Sequence, residues 1–257
     1  MRNSPLTVAY GAGVDSTAML VGFVQRGIRW NLALFADPGS EWPETYAYLK
    51  TINAWIRERG FPEIVTVRYV PKKAPYSTLE GELAKNATLP SMAFGWKSCS
   101  MKWKLEPQNA YKESWPPAIA AWAAGKKVVT AVGLDAGKSD SRRACRYWGA
   151  AQEDPLYETW HPLRDWGWDR ERCKAEIAKA GLPIPHKSAC TFCPSAHEEE
   201  IVELSENHPD LFRRAIAIED RAVAGKHKIG SKSVKGLGRR WSWRSFAEKI
   251  GIIRRTA

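Results

Sequence analysis

The sequence predicts an α/β protein: a parallel, twisted sheet with helices on both faces, followed by a helical, basic C-terminal extension. Three observations carry this. Up to Tyr69 the β-prone and helical stretches follow one another as β-loop-α-β-α-β, the order of a parallel sheet covered by its crossover helices. The first strand-to-helix junction is a short glycine-containing loop, Gly11-Ala12-Gly13. From Arg221 to Ala257 there are eleven Lys and Arg against one acid, Glu248, so this segment carries +10 of the formal net charge of +11.

The elements follow in order. Leu6-Thr7-Val8-Ala9-Tyr10 is a β-prone run that stops at Gly11, and Asp15-Ser16-Thr17 opens a helix over Ala18 to Gln25. Trp30 to Ala36 reads as the second strand. Pro43 to Arg59 has helical spacing, with Tyr46, Leu49, Ile52 and Ile56 on one face. Ile64 to Tyr69 is the third strand. Residues 71–106 form a partly helical insert leading to Cys99. Pro107 to Ala124 is helical with an interruption at Pro116-Pro117, Lys127 to Val132 is the fourth strand, and Leu156 to His161 a fifth. A helix runs from Asp169, its N-cap, to a stop at Gly181. Two helices follow Pro194, one to Ser205 and one over Pro209 to Ala224, and a short helix covers Ser242 to Ile250. The expected division is residues 1–185, a nucleotide-binding α/β domain, and 186–257, a cysteine-containing helical extension with a basic tail.

Composition excludes several classes. The 257 residues are 44% hydrophobic and 26% charged, which rules out wholesale disorder. The longest apolar runs, Ala18 to Val24 and Ala118 to Ala124, fall short of the ~20 residues that span a bilayer. No signal-peptide core precedes the first strand, and a cytoplasmic protein is expected. Five cysteines are too few, and odd in number, for a secreted disulfide scaffold. The basic segment 221–257 fits a polyanionic partner, RNA or DNA, or else is a solvated tail.

The first loop offers a phosphate cradle. Glycines allow close backbone approach and positive φ, the helix behind them presents unpaired N–H groups, and Ser16 and Thr17 add hydroxyls. No Gly-Lys-Ser/Thr follows, so it is not a Walker loop. Tyr10-Gly11-Ala12-Gly13-Val14-Asp15-Ser16-Thr17 resembles the PP-loop, Ser-Gly-Gly-x-Asp-Ser, of ATP pyrophosphatases, with Tyr10 and Ala12 in place of two of its residues. Phe35 to Thr45, Ser98 to Pro107 and Gly133 to Arg143 resemble, in order, segments of the related phosphoadenosine phosphosulfate (PAPS) reductase, or CysH-like, family.

That resemblance implies a Rossmann-like fold of the adenine nucleotide α-hydrolase type, with ATP at the carboxyl ends of the strands. It implies that Gly11, Ala12, Gly13, Asp15, Ser16 and Thr17 hold the phosphates, with Asp15 beside Mg²⁺. Ala36 and Asp37 would border the adenine, and Gly133 would lie in the fourth-strand loop of the site. Lys102, Arg142 and Arg143 would neutralise the leaving pyrophosphate. The chain departs from the family at Gly133-Leu134-Asp135, where Gly-Ile-Arg is usual. It also lacks the terminal Glu-Cys-Gly-Leu-His element: no cysteine follows Cys193, and the tail has Gly236-Leu237-Gly238. Without that nucleophile a sulfonucleotide reductase loses its chemistry.

Cys190-Thr191-Phe192-Cys193-Pro194 pairs two thiols at metal-binding spacing. With Cys99 they resemble the three-cysteine clusters of some thiolation enzymes, which hold a [4Fe-4S] cluster with one iron open. Zn²⁺ with His197 as the fourth ligand, or three reduced thiols without metal, are the alternatives. Cys173 reads as a buried small side chain and Cys145 as a reactive thiol beside Arg142-Arg143. His161 and His186 are either structural or acid–base groups. Trp241-Ser242-Trp243 among Arg239, Arg240 and Arg244 either grips a polynucleotide or anchors the tail.

Together these features point to an ATP pyrophosphatase that adenylates an acceptor, such as a nucleic-acid base, for sulfur transfer. The alternatives are a PAPS or APS reductase-type enzyme, and a CysH-like accessory nucleotide-binding protein of a phage or type IV CRISPR nucleoprotein system.

Overall fold

A computed structural model of the chain describes residues 4–138, 154–225 and 234–254. They form two compact units. The first comprises residues up to Ala36, Pro43–Val67 and Pro107–Ser188; the second comprises Asp37–Trp42, Arg68–Glu106 and Ala189–Ala257. The sequence boundary at 185/186 thus describes only the last segment of the second unit. Residues 37–42 and 68–106 group with it because each buries apolar side chains in the core made by Trp42, Leu79, Leu83, Trp103, Phe192, Ile201, Phe212 and Trp243.

The first unit holds a five-stranded sheet: β1 (Leu6–Ala9), β2 (Leu32–Ala36), β3 (Ile64–Val67), β4 (Val128–Val132) and β5 (Tyr157–Trp160). The spatial order is β3-β2-β1-β4-β5 and every pair is parallel. Both faces are covered, as the alternation along β2 shows. Ala33 and Phe35 join the core formed with α1 (Val14–Gln25) and α2 (Pro43–Arg57), while Leu32, Leu34 and Ala36 pack with Tyr111 and Trp115 on the other side. The fold class is therefore as expected. The α2 stripe is rotated slightly: Tyr48, Ile52, Trp55 and Ile56 are buried, and Tyr46 and Leu49 only partly.

Helix ends obey their local signals. Asp169 caps the helix Arg170–Lys179 by accepting the Arg172 N–H at 2.9 Å, and Gly181 follows at φ 77°. Pro116-Pro117 starts a new helix, Pro116–Ala123, after Glu106–Glu113 ends.

The second unit is mostly helical. Its longest helices are Glu198–Asn207 and Pro209–Ala224. The described part of the basic tail is folded, not trailing. Buried Glu219 accepts hydrogen bonds from the N–H groups of Leu237, Trp243 and Arg244 and from the Ser242 hydroxyl. Gly236 passes so close to this carboxylate that a Cβ would lie 2.3 Å from Glu219 Oε2. Ser242 then caps the helix Trp243–Lys249. Among the described residues no helix is long and apolar enough to cross a membrane.

Candidate functional site

β1 and β4 are neighbours, yet their crossovers leave in opposite directions across the sheet. A parallel sheet opens a crevice at the carboxyl ends of such a strand pair. The loop after β1 lies at this point. Tyr10 extends the strand, its N–H donating to the Leu34 carbonyl at 2.9 Å. Gly13 is the N-cap of α1 and supplies no capping side chain. The Thr17 N–H closes the first turn on the Gly13 carbonyl at 3.0 Å. Val14, Asp15 and Ser16 precede it in the turn, where N–H groups have no intrahelical acceptor and the helix dipole is positive.

Positive φ falls on Ala12, at 59°, and not on Gly11 or Gly13, which corrects the sequence expectation. Ala12 is fully buried. A left-handed alanine costs roughly 1–2 kcal/mol, strain of a kind that collects at ligand-binding turns. Gly13 is extended, at φ −99° and ψ 179°.

Gly133, at the end of β4, touches the same turn. A Cβ there would stand 2.7 Å from the Ser16 nitrogen and 2.8 Å from the Asp15 carbonyl carbon. Only glycine lets these two backbones meet. The Ser16 hydroxyl donates to the Gly13 carbonyl at 3.1 Å. Thr17, expected among the phosphate ligands, is instead turned into the core, its hydroxyl 3.0 Å from that of Tyr10.

Asp15 is met by Arg170, whose Nη1 lies 2.7 Å from Oδ1. Arg170 opens the helix that packs along α1, and sequence reasoning passed over it because nothing in its local pattern marks it. Burial, with Asp15 and Asp135 nearby, pushes the Cys173 thiol up to about 12, so this cysteine is the inert core residue expected. His161 Nδ1 lies 3.3 Å from the Val132 carbonyl. Burial lowers its pKa below the ordinary value, with Arg164 adding to the effect.

Cys99, Cys190 and Cys193 belong to the second unit. Ser40-Glu41-Trp42 runs antiparallel to Ala189-Cys190-Thr191, with the Thr191 N–H on Ser40 at 3.0 Å and the Trp42 N–H on Ala189 at 3.2 Å. Glu41 therefore stands opposite Cys190, on one face. Its carboxylate is fully buried and accepts from Lys104 Nζ at 2.6 Å. Burial, then Glu41, pushes the Cys190 thiol well above its ordinary range; Lys104 opposes this, and the neighbouring Cys193 and Cys99 add to it. Desolvation works against the Lys104 charge, but Glu41 and Cys190 more than offset it and hold its pKa up.

The chemistry of this donor set fits a soft metal centre: the free thiols of Cys190, Cys193 and Cys99 act on one another, with the Lys104 cation beside them. As the side chains stand, no three Cys, His, Asp or Glu among the described residues are grouped closely enough to hold a metal ion. His197, the alternative fourth ligand for zinc, is the N-cap of the helix Glu198–Asn207, its N–H given to Glu200 at 2.7 Å.

Other expected site residues have partners of their own. Lys102 pairs with Glu82 and donates to the Tyr76 hydroxyl at 3.3 Å, with the rings of Tyr69, Tyr76 and Trp103 within 5.7 Å. Burial opposes its charge, and Glu82 and Tyr76 more than compensate. Asp37 is buried and takes both Nε and Nη2 of Arg68, at 2.9 and 2.6 Å. Ala36 closes β2. Trp243 is buried and anchors the tail, while Trp241 packs edge-on against Phe246. Arg142, Arg143 and Cys145 lie outside the described residues.

No protein-family model and no curated protein matches the chain. A solved structure with some likeness is the U34-tRNA thiolase NcsA from Methanococcus maripaludis with its [4Fe-4S] cluster. It is 13% identical, the match covers 99% of this chain and 84% of that one, and the TM-score is 0.42. A score this low carries neither fold nor function from one chain to the other. The parallel sheet with order β3-β2-β1-β4-β5 defines the fold by itself.

Proposed function

We propose that the protein is a PP-loop-type ATP pyrophosphatase that adenylates an acceptor oxygen, such as a carbonyl of a nucleic-acid base, in preparation for sulfur transfer. The observation that carries this is the strained Gly11–Gly13 turn at the β1/β4 crevice, with Gly133 packed against its Asp15–Ser16 backbone. N–H groups of the first turn of α1 bind phosphate oxygens, and Asp15 positions Mg²⁺ when ATP is bound. Arg170, already beside Asp15, meets the phosphate charge.

In the reaction the acceptor oxygen attacks the α-phosphorus. The bond from that phosphorus to the bridging oxygen breaks, and pyrophosphate leaves with its electron pair. Cations and helix N–H groups stabilise the charge that develops. Lys102, Arg142 and Arg143 keep the pyrophosphate-neutralising role that the resemblance gives them. Cys99, Cys190 and Cys193 would hold an iron–sulfur cluster, which supplies an open iron for a sulfur ligand. Segment 221–257 binds the polynucleotide electrostatically, so affinity falls steeply with salt.

The test is turnover of α- and γ-labelled ATP with and without RNA or DNA. AMP and pyrophosphate are expected. ADP with phosphate, or binding without any turnover in the presence of nucleic acid, would overturn the reading; the latter favours the accessory nucleotide-binding role.

A further inference from the structure

Beside Cys99, wholly within the second unit, is a cavity of about 260 Å³. Its lining includes Phe94, Asn86, Ser98 and Cys99, with the Lys102–Glu82 ion pair beside them and buried Trp103 behind. This is slightly smaller than the ~300–1,000 Å³ of sites for drug-sized ligands, and suits a single planar ring system. Asn86 and Ser98 are exposed and bring an amide and a hydroxyl to the cavity lining.

Between Phe94 and Ser98 the chain exposes Trp96. It is 71% exposed, in a protein whose large aromatic side chains are otherwise mostly covered. Gly95, at φ 91°, turns the chain there, and the Trp96 N–H closes on Ser91 at 3.0 Å. The same short turn is fastened on two sides. The Ser91 hydroxyl accepts the Cys99 N–H at 2.9 Å, and the Met92 carbonyl accepts Arg239 Nε at 2.6 Å. Arg239 thus reaches the turn that carries Trp96, exposed Arg240 follows Arg239 in the chain, and Lys97 follows Trp96. Two segments, the turn at 91–99 and the chain at Arg239, bring together a cavity, an exposed indole and a guanidinium group.

We propose that this surface binds an unpaired segment of a polynucleotide. A flipped base enters the cavity against Phe94, the next base stacks on Trp96, and Arg239 and Arg240 hold the backbone phosphates. Stacking on an aromatic face together with phosphate contacts is the composition that grips single strands. The base edge meets the Asn86 amide and the Ser98 hydroxyl, which supply both donors and acceptors. The occupied base lies next to Cys99. This rests on the proposed function only for the choice of a polynucleotide as ligand; the surface itself lies wholly within the second unit.

The test is anisotropy of a short fluorescein-labelled single strand, as RNA and as DNA, with the matching duplex as control, all without ATP. Trp96→Ala should weaken single-strand binding about tenfold and leave the salt slope unchanged. Arg240→Ala should reduce the slope by about one. In a strand carrying 2-aminopurine, binding should change its fluorescence. Asn86→Phe, which puts a bulky ring into the cavity lining, should abolish that change while anisotropy still reports binding. Wild-type affinity in Trp96→Ala, a duplex bound as tightly as a single strand, or an unchanged 2-aminopurine signal in Asn86→Phe would each overturn the proposal. Because ATP is absent, failure here leaves the pyrophosphatase reading standing, and failure to turn over ATP leaves strand binding standing.

Discussion

Lys104 reaches a carboxylate with no solvent exposure, Glu41, at 2.6 Å, and Glu41 stands across an antiparallel bridge from Cys190. The pair is a structural commitment of the second unit. Breaking a buried pair from one side leaves a stranded charge and costs about 3–5 kcal/mol. Lys104 is itself partly exposed, so Lys104→Met should fall near the low end, at about 3 kcal/mol. Glu41→Gln in the same chain should restore much of the loss. Urea unfolding of the single and double variants measures both, and simple additivity would show that the two groups are not coupled.

The Gly133 contact predicts a contrast between two glycines. Gly133→Ala places a methyl 2.7 Å from the Ser16 backbone nitrogen, which cannot yield without moving the turn. The expected loss is about 1–3 kcal/mol of stability and at least about tenfold in ATP affinity. Gly11→Ala meets only the Ser16 hydroxyl at 3.8 Å, and its stability should stay near wild type. Thermal unfolding and isothermal titration with ATP, run on both variants, distinguish them.

Asp15→Ala and Ser16→Ala should abolish pyrophosphate release without unfolding the protein. Asp15 is partly exposed, and the Ser16 hydroxyl makes only a local bond to Gly13. Pyrophosphate assay beside circular dichroism reads both outcomes. Unchanged turnover would remove the loop from the chemistry.

Lys112 gives a pH signature. It is 4% exposed, its ammonium 4.2 Å from the ring of Tyr157. Burial lowers its pKa from 10.5 to about 8, with Asp154 opposing. Between these values the unfolded chain holds the proton and the folded chain does not, so stability rises with pH through the window. Below about 8 both states are charged and the full burial cost is present. Comparison with Lys112→Met isolates the group. The stability gap between variant and wild type should shift by about 3 kcal/mol in favour of the wild type from pH 7 to pH 10.5. A flat difference in chemical denaturation would contradict it.

An anaerobic preparation should show visible absorbance with bound iron and sulfide, lost in Cys190→Ser. Zinc in place of iron, with no such absorbance, would exclude the cluster and leave a closed metal site.

Local chemistry was legible before any coordinates. The strands, the cap at Asp169, the Pro116-Pro117 break and the terminal helix followed from periodicity and capping, which act over a few residues. The glycine turn was placed correctly at a strand's carboxyl end for the same reason. The positive φ expected at Gly11 or Gly13 falls instead on buried Ala12, at the turn's centre.

By itself, then, the sequence determined the order of strands and helices, the turn that faces the crevice, and the set of thiols. Only tertiary structure decided which distant groups share a site: Arg170 with Asp15, Glu41 with Lys104 and Cys190, Glu219 with the tail. It also decided that Trp243 is buried while Trp96 stands in solvent. Periodicity is a property of neighbours along the chain, whereas burial and charge pairing depend on what the rest of the fold brings alongside, and no local pattern encodes that.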